Sequence, residues 1–129
     1  MKKFLCLAVA ALALNAVADE PRGAQPERKI LERHDQSGVP GKEVVIGTAS
    51  FPPGATIGYH THPGDEAGYV IKGSLTLKVK GQADRPLQAG DSFFNPRGAV
   101  HSVTAGPDGA TAVSSWIIDK GAALATPAP

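Results

Sequence analysis

Apolar and polar residues alternate in short runs along this chain. The plainest run is Ser74–Lys80, where Leu75, Leu77 and Val79 fall on one side and Thr76, Lys78 and Lys80 on the other. Residues two apart on a strand point the same way, so this run predicts a half-buried antiparallel strand. Glu43–Phe51, with Val44, Val45 and Ile46, predicts a second strand that Pro52-Pro53-Gly54 ends sharply. Lys29–Arg33 predicts a first edge strand, and Thr111–Ile118 the last long one. Between them lie shorter candidates at Arg85–Gln88, Ser92–Phe94 and Val100–Thr104. A tight hairpin turn is expected at Lys72-Gly73, and further turns at 81–84, 95–98 and Pro107-Asp108-Gly109. No window holds a helical period, and no repeat of fixed length is present. Short strands punctuated by Gly/Pro turns indicate an all-β sandwich or barrel.

The chemistry concentrates in Gly54–Gly73, GATIGYHTHPGDEAGYVIKG. Its pattern predicts two short strands joined at Pro63-Gly64-Asp65. His60 and His62 project together, and Glu66 returns opposite them as the next strand begins. A third imidazole follows at His101. Two imidazoles and a carboxylate converging in this way can form one face of a metal's coordination shell. The competing reading pairs Glu66 with protonated histidines inside an apolar barrel. Burying three imidazoles that way would require several hydrogen-bond partners or a costly charge, which favours the metal. Other residues have plainer roles. His34, in a charged stretch, is expected to be exposed and Asp65 to be a turn residue. Trp116, Phe93 and Phe94 read as core, with one of the two phenylalanines inward and bordering a pocket. Lys78 and Lys80 read as a solvated strand face.

Composition refines this picture at the amino terminus. Lys2-Lys3, the apolar run from Phe4 to about Leu14 and Ala16-Val17-Ala18 form the pattern of a secretory signal peptide, 1–18, cut after Ala18. The run is shorter than the ~20 apolar residues of a spanning helix, so the expectation is an exported chain, periplasmic or secreted, and not a membrane anchor. Cleavage removes Cys6, the one cysteine, and lowers the basic residues from 13 to 11 against 12 acidic, moving the formal net charge from +1 to −1. A near-neutral balance without a basic run argues against nucleic acid as a partner. The mature chain then divides into a loose arm at 19–27, one β-barrel domain at 28–122 and a tail at 123–129.

The residues resemble the cupin superfamily, in its small single-domain form. Gly54, His60, His62, Glu66 and Gly73 match the first cupin motif, G-x5-H-x-H-x3-E-x6-G, and Gly90, Pro96, Gly98 and His101 match the second, G-x5-P-x-G-x2-H-x3-N. The departure is Ala105, where the second motif usually has an asparagine that is not a ligand. The resemblance implies a double-stranded β-helix, or jelly roll. It also implies that His60, His62, Glu66 and His101 hold a divalent transition metal: iron, manganese, nickel, copper, cobalt or zinc. Four protein ligands leave one or two positions open to water, dioxygen or a chelating small molecule. The function expected from this is a metal-dependent, dioxygenase- or oxidoreductase-type enzyme acting on a small organic molecule. In it Glu66 both anchors the ion and takes a proton from a substrate hydroxyl. The alternative is a non-catalytic cupin that binds a metal or a small ligand. Val70 shares a face with Glu66 while Tyr69 and Ile71 point away, so both faces of that strand are apolar, and a homodimer is expected to cover the outer one.

Overall fold

A computed structural model describes residues 24–129. The expected signal peptide therefore lies outside the described residues, as does most of the expected arm. The described residues form eight strands and no helix: β1 (Glu27–Asp35), β2 (Lys42–Phe51), β3 (Thr56–Thr61), β4 (Gly64–Val79), β5 (Arg85–Gln88), β6 (Ser92–Asn95), β7 (His101–Asp119) and β8 (Thr126–Pro127). All neighbouring strands pair antiparallel.

Two long strands organise the rest, because β4 and β7 pair with each other along almost their whole lengths. The first half of β4 and the second half of β7 lie beside β6 and β2 respectively, and β1 extends that sheet beyond β2. The second half of β4 and the first half of β7 lie beside β5 and β3, and β8 extends that sheet beyond β3. The result is two facing sheets that share both long strands, a double-stranded β-helix. Inward residues of both sheets meet in a core of Phe51, Val70, Leu75, Leu77, Leu87 and three alanines, with Val45, Trp116 and Ile118 as a second cluster.

Two expected turns prove to be bends inside these strands. At Lys72-Gly73 the chain does not reverse; the ladder slips, so that Gly73 faces Ala110 but Leu75 faces Ala105. Residues 106–109, including the expected Pro107-Asp108-Gly109 turn, bulge out on the partner strand at the same level. Gly73 has φ +73°, and a Cβ there would meet the Gly109 carbonyl oxygen at 2.0 Å. Glycine at this bend lets both strands cross from one sheet to the other.

Neither β3 and β4 nor the tail follows the expected pattern. The link between β3 and β4 is His62-Pro63 alone, and the two strands do not pair, since β3 lies against β7 and β8. Gly64 and Asp65 already belong to β4: a Cβ at Gly64 would meet the Ile117 carbonyl oxygen at 1.8 Å, so glycine permits pairing with β7 to begin there. Asp65 instead accepts a hydrogen bond from the Arg97 N–H at 2.9 Å, pinning the loop after β6. The expected tail contains β8, whose Pro127 and Thr126 sit opposite His60 and Thr61.

Candidate metal centre

His60 is near the end of β3, His62 follows it, Glu66 is the third residue of β4 and His101 opens β7. Pairing across the barrel brings them together, because His60 lies directly opposite His101 in the β3–β7 ladder. All four side chains are buried. One ring nitrogen from each of His60, His62 and His101 lies within 4.8 Å of the other two. With metal–nitrogen bonds of about 2.0–2.1 Å, opposite nitrogens around one ion stand roughly 4 Å apart, so this spacing suits a single ion. Glu66 sits beside two of them: its Oε2 lies 3.3 Å from Nε2 of His62 and 3.3 Å from Nε2 of His101.

Main-chain carbonyls orient the rings. Nδ1 of His60 donates to Gly58 O at 2.8 Å, that of His62 to Leu124 O at 2.6 Å and that of His101 to Ala99 O at 2.9 Å. A carbonyl only accepts, so each Nδ1 carries a proton and each ring turns its Nε2 inward. Burial, reinforced by the neighbouring His101 and His62, lowers the pKa of His60 to about 4 despite the opposing bond to Gly58, so this ring is neutral near pH 7. For Glu66, burial pushes the pKa up, but His101, His62 and the Asn95 amide outweigh it and hold the carboxyl well below the usual carboxylate range. The Asn95 amide donates to Glu66 Oε2 at 2.9 Å. Nε2 of His62 and Nε2 of His101 thus face an ionised oxygen, and among the described residues Nε2 of His62 is buried with no hydrogen-bond partner. A divalent ion between these groups would satisfy the inward nitrogens and the carboxylate together. Three buried imidazoles with a carboxylate beside them fit a divalent transition ion.

Beside the cluster is a small cavity with about 30 Å³ of room for the centres of water-sized molecules. One water needs roughly 10–15 Å³ on that measure, so the space takes about two waters or a ligand of few atoms. Leu75, Leu77, Phe93 and Val103 make its apolar wall, while Asn95 and Trp116 bring polar atoms.

Residues 47–118 match the family profile described as the cupin domain. The chain belongs to the cupin family. This cupin is similar to the oxalate-binding protein of Thermotoga maritima, 29% identical over 83 residues that span 64% of this chain and 68% of that protein. It is also similar to oxalate oxidase 2 of Hordeum vulgare, 36% identical over 66 residues, but these span 45% of this chain and only 30% of the oxidase. Among solved structures, a cupin-like protein of Thermotoga maritima superposes with a TM-score of 0.62 at 27% identity, covering 80% of this chain and 75% of the other.

The remaining candidates of this cupin fall outside the centre. His34 is exposed and contacts Glu32 at 2.8 Å. Phe93 faces the cavity and Phe94 faces out at 57% exposure, which is the alternation expected of the pair. Trp116 is buried, with its ring centroid 5.8 Å from that of His62. Asn95, absent from the sequence-based candidates, shares its face with Phe93, two residues earlier, and that alternation was the signal available for it. Glu43 is a second buried carboxylate, 3.4 Å from Arg33 and away from the cavity. Sequence gave no reason to expect it inside.

Proposed function

We propose that this chain is an exported, metal-dependent cupin of oxidoreductase type whose ion receives a small chelating organic molecule. The observation that carries the reading is the convergence of three buried imidazole nitrogens, two of them beside a buried carboxylate. A bound transition ion would supply a Lewis-acidic, open coordination position. His60, His62 and His101 would hold it through Nε2, their Nδ1 protons being committed to backbone carbonyls. Glu66 would be the fourth ligand, and Asn95 keeps its oxygen aimed. The apolar wall limits water near the ligand, and the roughly 30 Å³ cavity favours compact molecules over bulky aromatic ones. Relatives named for oxalate make that dianion the first candidate.

A second reading, non-catalytic capture of the same kind of molecule, has its own support. Glu66 Oε2 is already engaged by the Asn95 amide and flanked by two imidazoles, which suits a fixed ligand better than a proton acceptor. Metal analysis of protein recovered from its native compartment, followed by oxygen uptake with oxalate, separates the two. The enzyme reading expects one ion per chain and metal-dependent uptake; binding of oxalate without turnover leaves capture. In His60→Ala, metal content should fall severalfold and chelator should no longer lower the melting temperature. Export is checked by sequencing the amino terminus of the recovered protein, expected at Asp19.

A further inference from the structure

One cation stands at the entrance to the cavity. Arg28 of β1 pairs opposite Ala49, an inward residue that lines the cavity, and Arg28 lines it too. The slip in the β1–β2 ladder falls after Ile30, at Leu31, so it leaves this inward placement intact. A wider groove of about 320 Å³, bounded by Gly58, Tyr59 and Pro127, shares Arg28, Ile57 and His60 with the cavity. A molecule moving from groove to cavity passes the guanidinium.

Among the described residues the exposed Arg28 side chain has no carboxylate partner and no hydrogen bond; its contact is with the ring of Trp116, 5.5 Å from the centroid. Beneath it the Trp116 indole N–H is buried and has no hydrogen-bond partner. Two unspent donor groups thus border the cavity that also carries the histidine cluster. We infer that Arg28 is the specificity-determining residue of this site: it pairs with the outer carboxylate of a small dianionic chelator whose inner end is held at the histidine cluster. The inference rests on the metal reading above. Stacking of a guanidinium on an aromatic face is weaker than fork-on pairing with a carboxylate, so Arg28 would turn from the ring to the ligand, with the Trp116 N–H adding a second donor. Without a ligand, the stacked arginine occupies the same position and needs no counter-ion.

Trp116 is the one tryptophan of the chain, and its fluorescence reports this exchange directly. The full chain, loaded with zinc, is titrated with oxalate and separately with acetohydroxamate, which chelates but lacks an outer carboxylate. Oxalate should change the emission of the native chain. In Arg28→Met its affinity should fall at least about tenfold, acetohydroxamate binding should stay within about twofold, and zinc content should not change. Arg28→Lys, which keeps the charge but not the fork, should lie between and serves equally if the methionine variant folds poorly. Equal oxalate affinity in the native and variant proteins overturns the inference. Binding of acetohydroxamate but not oxalate overturns it while leaving the metal site standing. Failure of the native chain to retain zinc overturns both.

Discussion

Asn95 anchors the acid at the heart of the barrel. Its amide donates to Glu66 Oε2, and both side chains are buried. Asn95→Ala would leave that oxygen facing only the imidazoles. Losing a hydrogen bond to a buried charge costs about 1–3 kcal/mol, so urea unfolding of the metal-free variant should show a loss of that order, and metal affinity should weaken. The gathering of the three histidines and Glu66 was legible in the sequence, His60, His62 and Glu66 from local alternation and spacing and His101 from the second motif. Asn95 and Arg28 were not, for they reach the site through pairings with distant segments, Glu66 with Asn95 and Ala49 with Arg28. A single sequence does not state register across a sheet.

The strands themselves were mostly legible, and the two misread turns within β4 and β7 share one cause. Gly73 and the Pro107-Asp108-Gly109 segment carry turn chemistry, yet each sits opposite the other where β4 and β7 bend together. A bend and a reversal use the same residues, and only the partner strand decides between them. Gly73→Ala should therefore destabilise by more than the ~1 kcal/mol ascribed to conformational entropy alone, since it adds a clash with the Gly109 carbonyl to a left-handed φ. Thermal unfolding measures this. The end of β7 gives a prediction in pH. Asp119 accepts both Arg97 nitrogens, at 2.8 and 2.9 Å, and is also paired with Lys42. Arg97 foremost, then Lys42, holds its folded pKa well below the ordinary 3.8. Above that value both folded and unfolded states are ionised and the contribution is complete; as acid is added the unfolded state takes up the proton first, and the contribution drains away. The stability gap between native protein and Asp119→Asn should thus narrow between about pH 6 and about pH 2. A constant gap would mean that the ion pairs add nothing.

At the scale of the molecule, one outer face is unusually apolar. Tyr69, Phe94 and Ile117 are 47%, 57% and 43% exposed, and all three lie on the outer side of the sheet that holds β6 and β1. We propose that a second copy covers this face, as the outward Tyr69 and Ile71 suggested from sequence. Light scattering should give twice the monomer mass for the native chain and the monomer mass for Tyr69→Lys combined with Phe94→Lys; a native monomer removes the idea. Fold class and barrel type were readable in advance, since alternation and the two motifs carry both, whereas the path of the chain between the sheets was not. That path has a final consequence. Neither sheet owns its two central strands, so melting one sheet strips the other of its middle. The barrel should lose structure in a single calorimetric step, with amides of β4 and β7 exchanging slowest and at a common rate. An ion held at one end would then be felt by every strand of the domain.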